Sequence, residues 1–188
     1  MQQGMNDTCS CGSGKKHQDC CQGKMTPPSR EPSQVELLQL GNLFNTGRYV
    51  ELEKSSRALI GQYPASGLIW ELLGQALQMQ GKDSLHAFQK TVEFLPDDAG
   101  AHYNLAAILK SLGKLSEAAA GYRNAIKIKP NFVEALNNLG NIMVDLEQFS
   151  EAIESFHKAL NIKPDSAEAH LNMGVSLACI GQLNKALA

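Results

Sequence analysis

Apolar and small residues recur along most of the chain with a helical spacing, and this pattern itself repeats every 34 residues. Proline marks the same point of three successive segments, at Pro96, Pro130 and Pro164. Residues 101–130 align with residues 135–164 without a gap. Other positions that repeat at this interval are Leu105, Leu139 and Met173, then Ala106, Gly140 and Gly174, then Ala118, Ala152 and Ala186. A period of this length predicts a stack of short structural repeats.

Each repeat is predicted to contain two helices. In residues 99–132, apolar side chains with helical spacing predict a first helix that stops at Gly113. Ser116 is a plausible N-cap for a second helix, which ends before Pro130. Capping boxes are expected at the start of two later first helices, from the pairs Asn131 with Glu134 and Asp165 with Glu168.

The array of repeats is predicted to occupy residues 33–188. Its units are assigned to residues 33–66, 67–98, 99–132 and 133–166, followed by a partial unit at 167–188. The second unit is two residues short around Gly81 to Leu85, which predicts a shortened turn between its helices. Because Ala188 falls within the second helix of the fifth unit, we expect a fragment or the N-terminal part of a longer protein.

The repeated pattern resembles the tetratricopeptide repeat (TPR) family. The family's signature falls on Trp70 in the second unit. In the fourth unit it falls on Leu139, Gly140, Ala152, Phe156, Ala159 and Pro164. The resemblance implies an all-α fold, a TPR superhelical solenoid of antiparallel helix pairs. It also implies that the first helix of each unit lines a concave groove, which binds a protein or an extended peptide.

Asparagine recurs at one position of the first helices, although it is a mediocre helix former. Asn104, Asn138 and Asn172 occupy this position in three successive units, and Asn141 lies on nearly the same face as Asn138. One interpretation is a ladder that binds a peptide backbone, because a side-chain amide both donates and accepts hydrogen bonds. The alternative is that these asparagines are surface polar residues or bond to neighbouring helices.

The repeated asparagines, within the segments NNLGN and AHLNMG, resemble the TPR half of O-linked N-acetylglucosamine transferases. That resemblance implies that the concave asparagines hold a substrate peptide. Two functions follow as hypotheses. The first is a peptide-binding scaffold with no chemistry in this chain, and the alternative is the substrate-recruiting N-terminal region of a transferase. In the second case the parent protein is an enzyme whose catalytic domain lies beyond residue 188.

Four of the five cysteines lie in the first 21 residues, in the segment CSCGSGKKHQDCC. Cys9 and Cys11 form one close pair and Cys20 and Cys21 form a second, a grouping that suits a tetrahedral zinc site of four thiolates. The surrounding residues contain few large apolar side chains, so a bound metal would have to stabilise their fold. The alternatives are a disulfide pair, unligated cysteines, or His17 in place of one thiol.

This segment resembles the SEC-C motif, a small zinc-binding module found at the C-terminus of the SecA translocation ATPase and appended to other bacterial proteins. The resemblance implies structural Zn²⁺ bound by Cys9, Cys11, Cys20 and Cys21, with Ser10 at a position where the family usually has proline. The SecA module docks on a chaperone and on ribosomes, so a second protein or a ribosomal partner is a hypothesis for this one. The module is assigned to residues 1–24 and a proline-rich linker to residues 25–32.

The chain has a net charge of −2 and no run of 18 apolar residues, so neither DNA nor a membrane is an expected partner. Its N-terminus is polar and lacks the apolar core of a secretory signal. We therefore expect a cytoplasmic protein, in which a reducing environment favours metal binding over disulfides. Residues 1–30 contain four Lys or Arg against two Asp or Glu, whereas the remainder contains 13 against 17. The predicted zinc module is thus mildly basic and the array mildly acidic.

Overall fold

The computed structural model describes residues 31–181, and every regular element in this range is an α-helix. The helices are α1 (Gln34–Asn45), α2 (Tyr49–Ile60), α3 (Gly67–Met79), α4 (Leu85–Phe94), α5 (Ala99–Ser111), α6 (Leu115–Ile128), α7 (Val133–Asp145), α8 (Phe149–Ile162) and α9 (Ala167–Cys179). This confirms the predicted all-α class for the described part of the chain. The expected zinc module and most of the expected linker, within residues 1–30, lie outside the described residues, as do residues 182–188.

The helices form consecutive pairs that stack on one another. Each helix packs against the next one in sequence, and first helices of neighbouring units also touch, as α1 does with α3 and α7 with α9. The largest buried cluster joins the third and fourth units, and its biggest side chains are Tyr122, Phe156 and Met143. Each helix pair therefore shares its core with its neighbours, and odd-numbered helices form one layer while even-numbered helices form the other.

A residue with left-handed backbone lies in the turn after each first helix, two residues beyond the end of that helix. Glycine occupies this position in four units, as in Gly113 with φ of 73°, and Glu147 occupies it in the fourth unit with φ of 58°. The turn is closed by a hydrogen bond from the amide of the next residue, such as Lys114 N to Leu109 O at 2.9 Å. The predicted stop at Gly113 is thus confirmed, and it is a C-capping motif that favours glycine.

The second unit does not have the shortened turn that its length predicts. Its turn between α3 and α4 spans five residues, 80–84, whereas the turn between α5 and α6 spans three, 112–114. The second unit is shorter because its second helix is shorter: α4 has 10 residues, whereas α6 has 14. The reason is that Asp83 accepts a hydrogen bond from Leu85 N at 2.9 Å, which holds the extra turn residues outside the helix.

The predicted caps were wrong in three places. Helix α6 begins before Ser116, because the three-residue turn that ends at Lys114 leaves Leu115 as the first helical residue. Helix α7 has Phe132 as its N-cap, without a side-chain bond. Helix α9 is capped by Ser166 instead of Asp165, and its side chain accepts from Ala169 N. A complete capping box is found at Ser33 and Glu36, at the start of α1. Within residues 31–181, no helix is long and apolar enough to cross a membrane.

Candidate functional site

Three successive first helices line one open cleft of about 420 Å³. Its walls are mostly polar: Lys110 from α5, Asn141 and Asp145 from α7, and Glu168 and Asn172 from α9, together with Val144 and Val175. Because each wall comes from a different unit, the first helices form a continuous surface, which we call the inner surface. Repeat proteins of this kind use such a surface for binding.

Two of the predicted ladder residues meet in this cleft. Nδ2 of Asn172 donates a hydrogen bond to Oδ1 of Asn141 at 2.7 Å, across the boundary between the fourth and fifth units. Among the described residues, no other partner is found for either side chain. Asn141 therefore retains both of its N–H donors, and Asn172 retains its carbonyl oxygen and one N–H.

The other two predicted ladder residues also bond to the preceding unit. Nδ2 of Asn104 donates to Oε1 of Glu71 at 3.2 Å, and Nδ2 of Asn138 donates to the hydroxyl oxygen of Tyr103 at 3.1 Å. These bonds are of the kind expected if asparagines bond to neighbouring helices. Each bond uses one N–H of the amide, which leaves the carbonyl oxygen without a partner among residues 31–181. The interpretation of the four asparagines as peptide-binding residues stays a prediction.

A second row of residues lies beside the asparagines, and its bonds to the ladder residues were not predicted from the sequence. Glu71, Tyr103 and Asn137 occupy the same position of α3, α5 and α7, one residue before the ladder position. Glu71 and Tyr103 accept the bonds from Asn104 and Asn138 just described. The signal that could have found this row is the repeat itself, since 71, 103 and 137 follow the same spacing as the units.

The side-chain oxygen of Asn137, the last member of this row, has no hydrogen-bond donor among residues 31–181. Asn137 is 8% exposed, and its Oδ1 has no hydrogen-bond partner within the described part of the chain. By the pattern of the preceding units its donor would be Asn172, but Asn172 bonds to Asn141. A buried acceptor without a donor costs about 1–3 kcal/mol of stability.

Glu71, the first member of the row, has a perturbed pKa. Burial raises the pKa of the Glu71 carboxyl above its usual range, and the negative charge of Asp98 raises it further. The hydrogen bond from Asn104 opposes this rise. No ion pair to Glu71 is found among residues 31–181.

Tyr103 is held in place by two aromatic neighbours. Its ring centroid lies 5.5 Å from that of Tyr122, edge to face, and 4.9 Å from that of Phe132, in a stacked arrangement. Tyr122 is buried, so the Tyr103 hydroxyl is presented to Asn138 from a rigid base. Such support is what a preorganised binding surface requires.

A third repeated bond ties three of the first helices, α3, α5 and α9, to the end of the preceding unit. Nε1 of Trp70 donates to the carbonyl oxygen of Pro64 at 2.8 Å. The ring nitrogen Nε2 of His102 lies 2.8 Å from the carbonyl of Pro96, and His170 repeats this contact with the proline that ends the fourth unit, Pro164. Because a carbonyl only accepts, each imidazole donates through Nε2–H. These rings have a structural role.

The predicted metal ligands Cys9, Cys11, Cys20 and Cys21 lie outside the described residues. Between residues 31 and 181, no group of three or more His, Cys, Asp or Glu is placed to bind a metal ion. Cys179, at the end of α9, is exposed.

Family models match two parts of the chain. Models described as "TPR repeat" and "Tetratricopeptide repeat" match residues 107–146, 140–181 and 87–120, and together they cover residues 87–181. A model described as "SEC-C motif" matches residues 5–23. That range contains all four clustered cysteines.

Similarity to individual proteins agrees with the match to the TPR models. Superkiller complex protein 3 of Mus musculus is 34% identical over 88 residues, which is 46% of this chain and 6% of that protein. The chain thus corresponds to a small part of that relative. The MamA protein has a TM-score of 0.77 at 19% identity, over 81% of this chain and 85% of that one. YrrB, described as "a TPR protein with an unusual peptide-binding site", has a TM-score of 0.76 at 18% identity, over 83% and 81%. These structures show the same fold, a helical solenoid.

Proposed function

Because the chain belongs to the tetratricopeptide-repeat proteins and contains a SEC-C motif, we propose that it is a scaffold that binds extended peptide segments of a partner protein. The observation that supports this most directly is the cleft shared by α5, α7 and α9, in which Asn141 and Asn172 bond to each other and retain further N–H and C=O groups for a ligand. The peptide-binding site in the description of YrrB, a protein of the same fold, is additional support.

The repeat spacing suits an extended peptide. Neighbouring packed helices lie about 8–10 Å apart, and an extended chain rises about 3.3 Å per residue. The first helices of successive units therefore meet the peptide at about every third residue. Contacts from Asn104, Asn138 and Asn172 to peptide amides would be independent of the peptide's side chains.

The bonds that the asparagines make to the preceding unit favour this function. Each bond fixes the orientation of an amide before a peptide arrives, so less side-chain entropy is lost on binding. In each case the carbonyl oxygen remains to accept from a peptide N–H. The same residues thus link adjacent units and present aligned acceptors along the inner surface.

The experiment that tests peptide binding starts from a phage-displayed library of twelve-residue peptides, selected on the intact chain. Selected peptides are then titrated against the chain and against the triple variant Asn104→Ala, Asn138→Ala, Asn172→Ala. We expect the triple variant to bind at least tenfold more weakly, since each lost hydrogen bond contributes about 0.5–1.5 kcal/mol.

The matched control removes asparagines from the other layer, with Asn124→Ala on α6 and Asn161→Ala on α8. This variant should bind selected peptides as the unchanged chain does, and circular dichroism should show that both variants remain helical. Equal affinity of the triple variant and the control would rule out the asparagine contacts, and a library that yields no binder would rule out peptide binding.

We propose further that the SEC-C motif binds one structural Zn²⁺ through Cys9, Cys11, Cys20 and Cys21. Four thiolates are a donor set that zinc prefers, and the match to the SEC-C family covers all of them. Zinc would supply folding free energy to a segment with few apolar residues. Lys15 and Lys16 would offset part of the negative charge of four thiolates on one divalent ion.

These assignments fit a cytoplasmic protein with two docking surfaces, the inner face of the array and the basic zinc module. The transferase alternative depends on the same asparagines, whose pattern resembles that of O-linked N-acetylglucosamine transferases. Reading the coding sequence past codon 188 tests it. A following domain with a nucleotide-sugar site would support the transferase, and a stop codon soon after a capping helix would support the scaffold.

A further inference from the structure

Charge is divided unequally between the two helix layers. The odd-numbered helices contain five carboxylates and one cation, Lys110. The five carboxylates are Glu36, Glu71, Glu134, Asp145 and Glu168. The even-numbered helices contain six carboxylates and six Lys or Arg residues. The inner surface therefore has a net charge of −4, whereas the outer layer is neutral.

The two sets of carboxylates also differ in their partners. Every carboxylate of the even-numbered helices forms an ion pair with a Lys or Arg, as Glu151 does with Arg123 at 2.6 Å and Glu154 with Lys158 at 2.7 Å. The other four are Glu51, Glu53, Glu93 and Glu117. On the inner layer, Glu71, Glu134, Asp145 and Glu168 form no ion pair with any residue in 31–181.

The unpaired carboxylates lie where a peptide would bind. Asp145 and Glu168 line the shared cleft, and Glu71 accepts the hydrogen bond from the ladder residue Asn104. Glu71 is half-buried and has Asp98 as its nearby charge, so its own negative charge is not compensated. A cation brought by a ligand would gain more here than at an exposed ion pair, because partial burial reduces solvent screening.

The asparagines of the inner surface retain acceptors that a ligand could use. One N–H of Asn104, Asn138 and Asn172 is already used within the chain, while the carbonyl oxygens of these residues have no partner among residues 31–181. The buried Oδ1 of Asn137, in the adjoining row, also lacks a donor there. These carbonyl oxygens and the unpaired carboxylates can accept from a ligand, and lysine and arginine are charged side chains that only donate.

We propose that this groove selects cationic peptides, whose lysine or arginine side chains pair with the carboxylates of α3, α7 and α9. The distance between the helices and the rise of an extended chain place one helix at about every third peptide residue, and α5, whose one charged residue is Lys110, provides no carboxylate. The proposal rests on peptide binding at this surface and adds the chemical class of the peptide. Backbone contacts to the asparagines set the register, and the carboxylates select the side chains.

The test uses the intact chain and three labelled twelve-residue peptides, (Lys-Ser-Ala)4, (Gln-Ser-Ala)4 and (Glu-Ser-Ala)4, titrated by fluorescence anisotropy. We expect the lysine peptide to bind at least tenfold more tightly than the glutamine peptide, and the glutamate peptide more weakly than both. Raising the salt from 0.05 M to about 0.5 M should reduce the difference between the lysine and glutamine peptides, because salt screens charge.

Two variants test whether the preference for the lysine peptide arises from the inner layer. Glu71→Gln retains an acceptor for Asn104 but removes the charge, and we expect the ratio of its affinities for the lysine and glutamine peptides to fall about tenfold. The matched control is Glu117→Gln on α6, which removes the same charge from the outer layer and should bind as the unchanged chain does.

The outcomes separate this proposal from peptide binding itself. Equal affinity for the lysine and glutamine peptides, with both weakened by the triple asparagine variant, would overturn the charge selection and leave peptide binding in place. Equal weakening by Glu71→Gln and Glu117→Gln would show a general charge effect and would also overturn it. Failure of the lysine peptide to bind would overturn it as well, and the library selection would then decide on peptide binding alone.

Discussion

The backbone of Gly140 lies so close to the ring of Phe156 that an added Cβ atom would be 2.5 Å from Cε1 of that ring. Phe156 is fully buried in the core shared by the third and fourth units. A glycine in the middle of a helix costs about 1 kcal/mol of helix propensity. Close approach of α7 and α8 is thus the reason for a glycine here.

Gly140→Ala should destabilise the array by up to about 2 kcal/mol. Overpacking a buried site costs about 1–3 kcal/mol, and the better helix propensity of alanine offsets only part of this cost. The measurement is the urea midpoint of unfolding, followed by circular dichroism. Gly41→Ala on α1 is the matched control, because nothing lies within 4 Å of its added Cβ, and it should stabilise the array instead. A stabilised Gly140→Ala variant would contradict the close contact.

Glu147→Gly should raise stability by about 0.5–1 kcal/mol. Glu147 has φ of 58°, at the turn position where the other described units have glycine with φ between 68° and 74°. Left-handed backbone costs a non-glycine residue about 1–2 kcal/mol, and the greater entropy of glycine in the unfolded chain offsets about 0.4–1 kcal/mol. The urea midpoint reports the change. The converse substitution Gly113→Ala should lower stability, and the same sign for both variants would exclude the backbone as the cause.

Asn137→Leu should stabilise the array by about 1 kcal/mol and weaken binding of the lysine peptide. The change removes a buried oxygen that has no donor within residues 31–181, and leucine has a similar shape. Leu171 already occupies the equivalent position of α9. Asn138→Leu is the control: it removes the bond to Tyr103 and should destabilise the array. A loss of stability in Asn137→Leu would show that its Oδ1 has a partner in solution.

Protein purified under reducing conditions should contain one zinc per chain, measured by atomic emission. Cys9→Ser or Cys20→Ser should abolish zinc binding, because a hydroxyl replaces a thiolate ligand. His17→Ala distinguishes the two ligand sets that the sequence allows. Full zinc content in this variant supports four cysteines, and its loss supports histidine as a ligand. Protein without zinc in all preparations would exclude the metal site.

Most of the fold could be predicted from local features of the sequence. The 34-residue period, the prolines that end each unit and the glycine at Gly113 identify the helices and their number, since these signals act within a few residues. Helix starts were less predictable. The cap expected at Ser116 was wrong because the three-residue turn before α6 leaves Leu115 as its first helical residue. The cap expected at Asp165 was wrong by one residue, because the side chain of Ser166 caps α9. The short second unit has a shortened second helix instead of the shortened turn that its length predicts.

The candidate site could be predicted only in part. The repeat placed the asparagines on the inner face, but their partners Glu71, Tyr103 and Asn141 are 31 to 35 residues away in sequence. The spacing of residues within one unit does not show which side chains contact each other across the boundary between two units. The ion pairs could not be predicted either, because the 17 basic and 19 acidic residues of the composition do not show which of them pair.

The amino-acid sequence therefore specifies the helical repeats, their period and the residues that face inward, because periodicity and turn residues are properties of neighbouring positions. The stacking of the units decides the rest. It brings Asn104 to Glu71 and leaves Oδ1 of Asn137 without a donor among residues 31–181. It also pairs the carboxylates of the even-numbered helices, whereas Glu71, Glu134, Asp145 and Glu168 have no ion pair in that range. These outcomes depend on side chains that approach one another only when adjacent units pack, and they determine what the inner surface can bind.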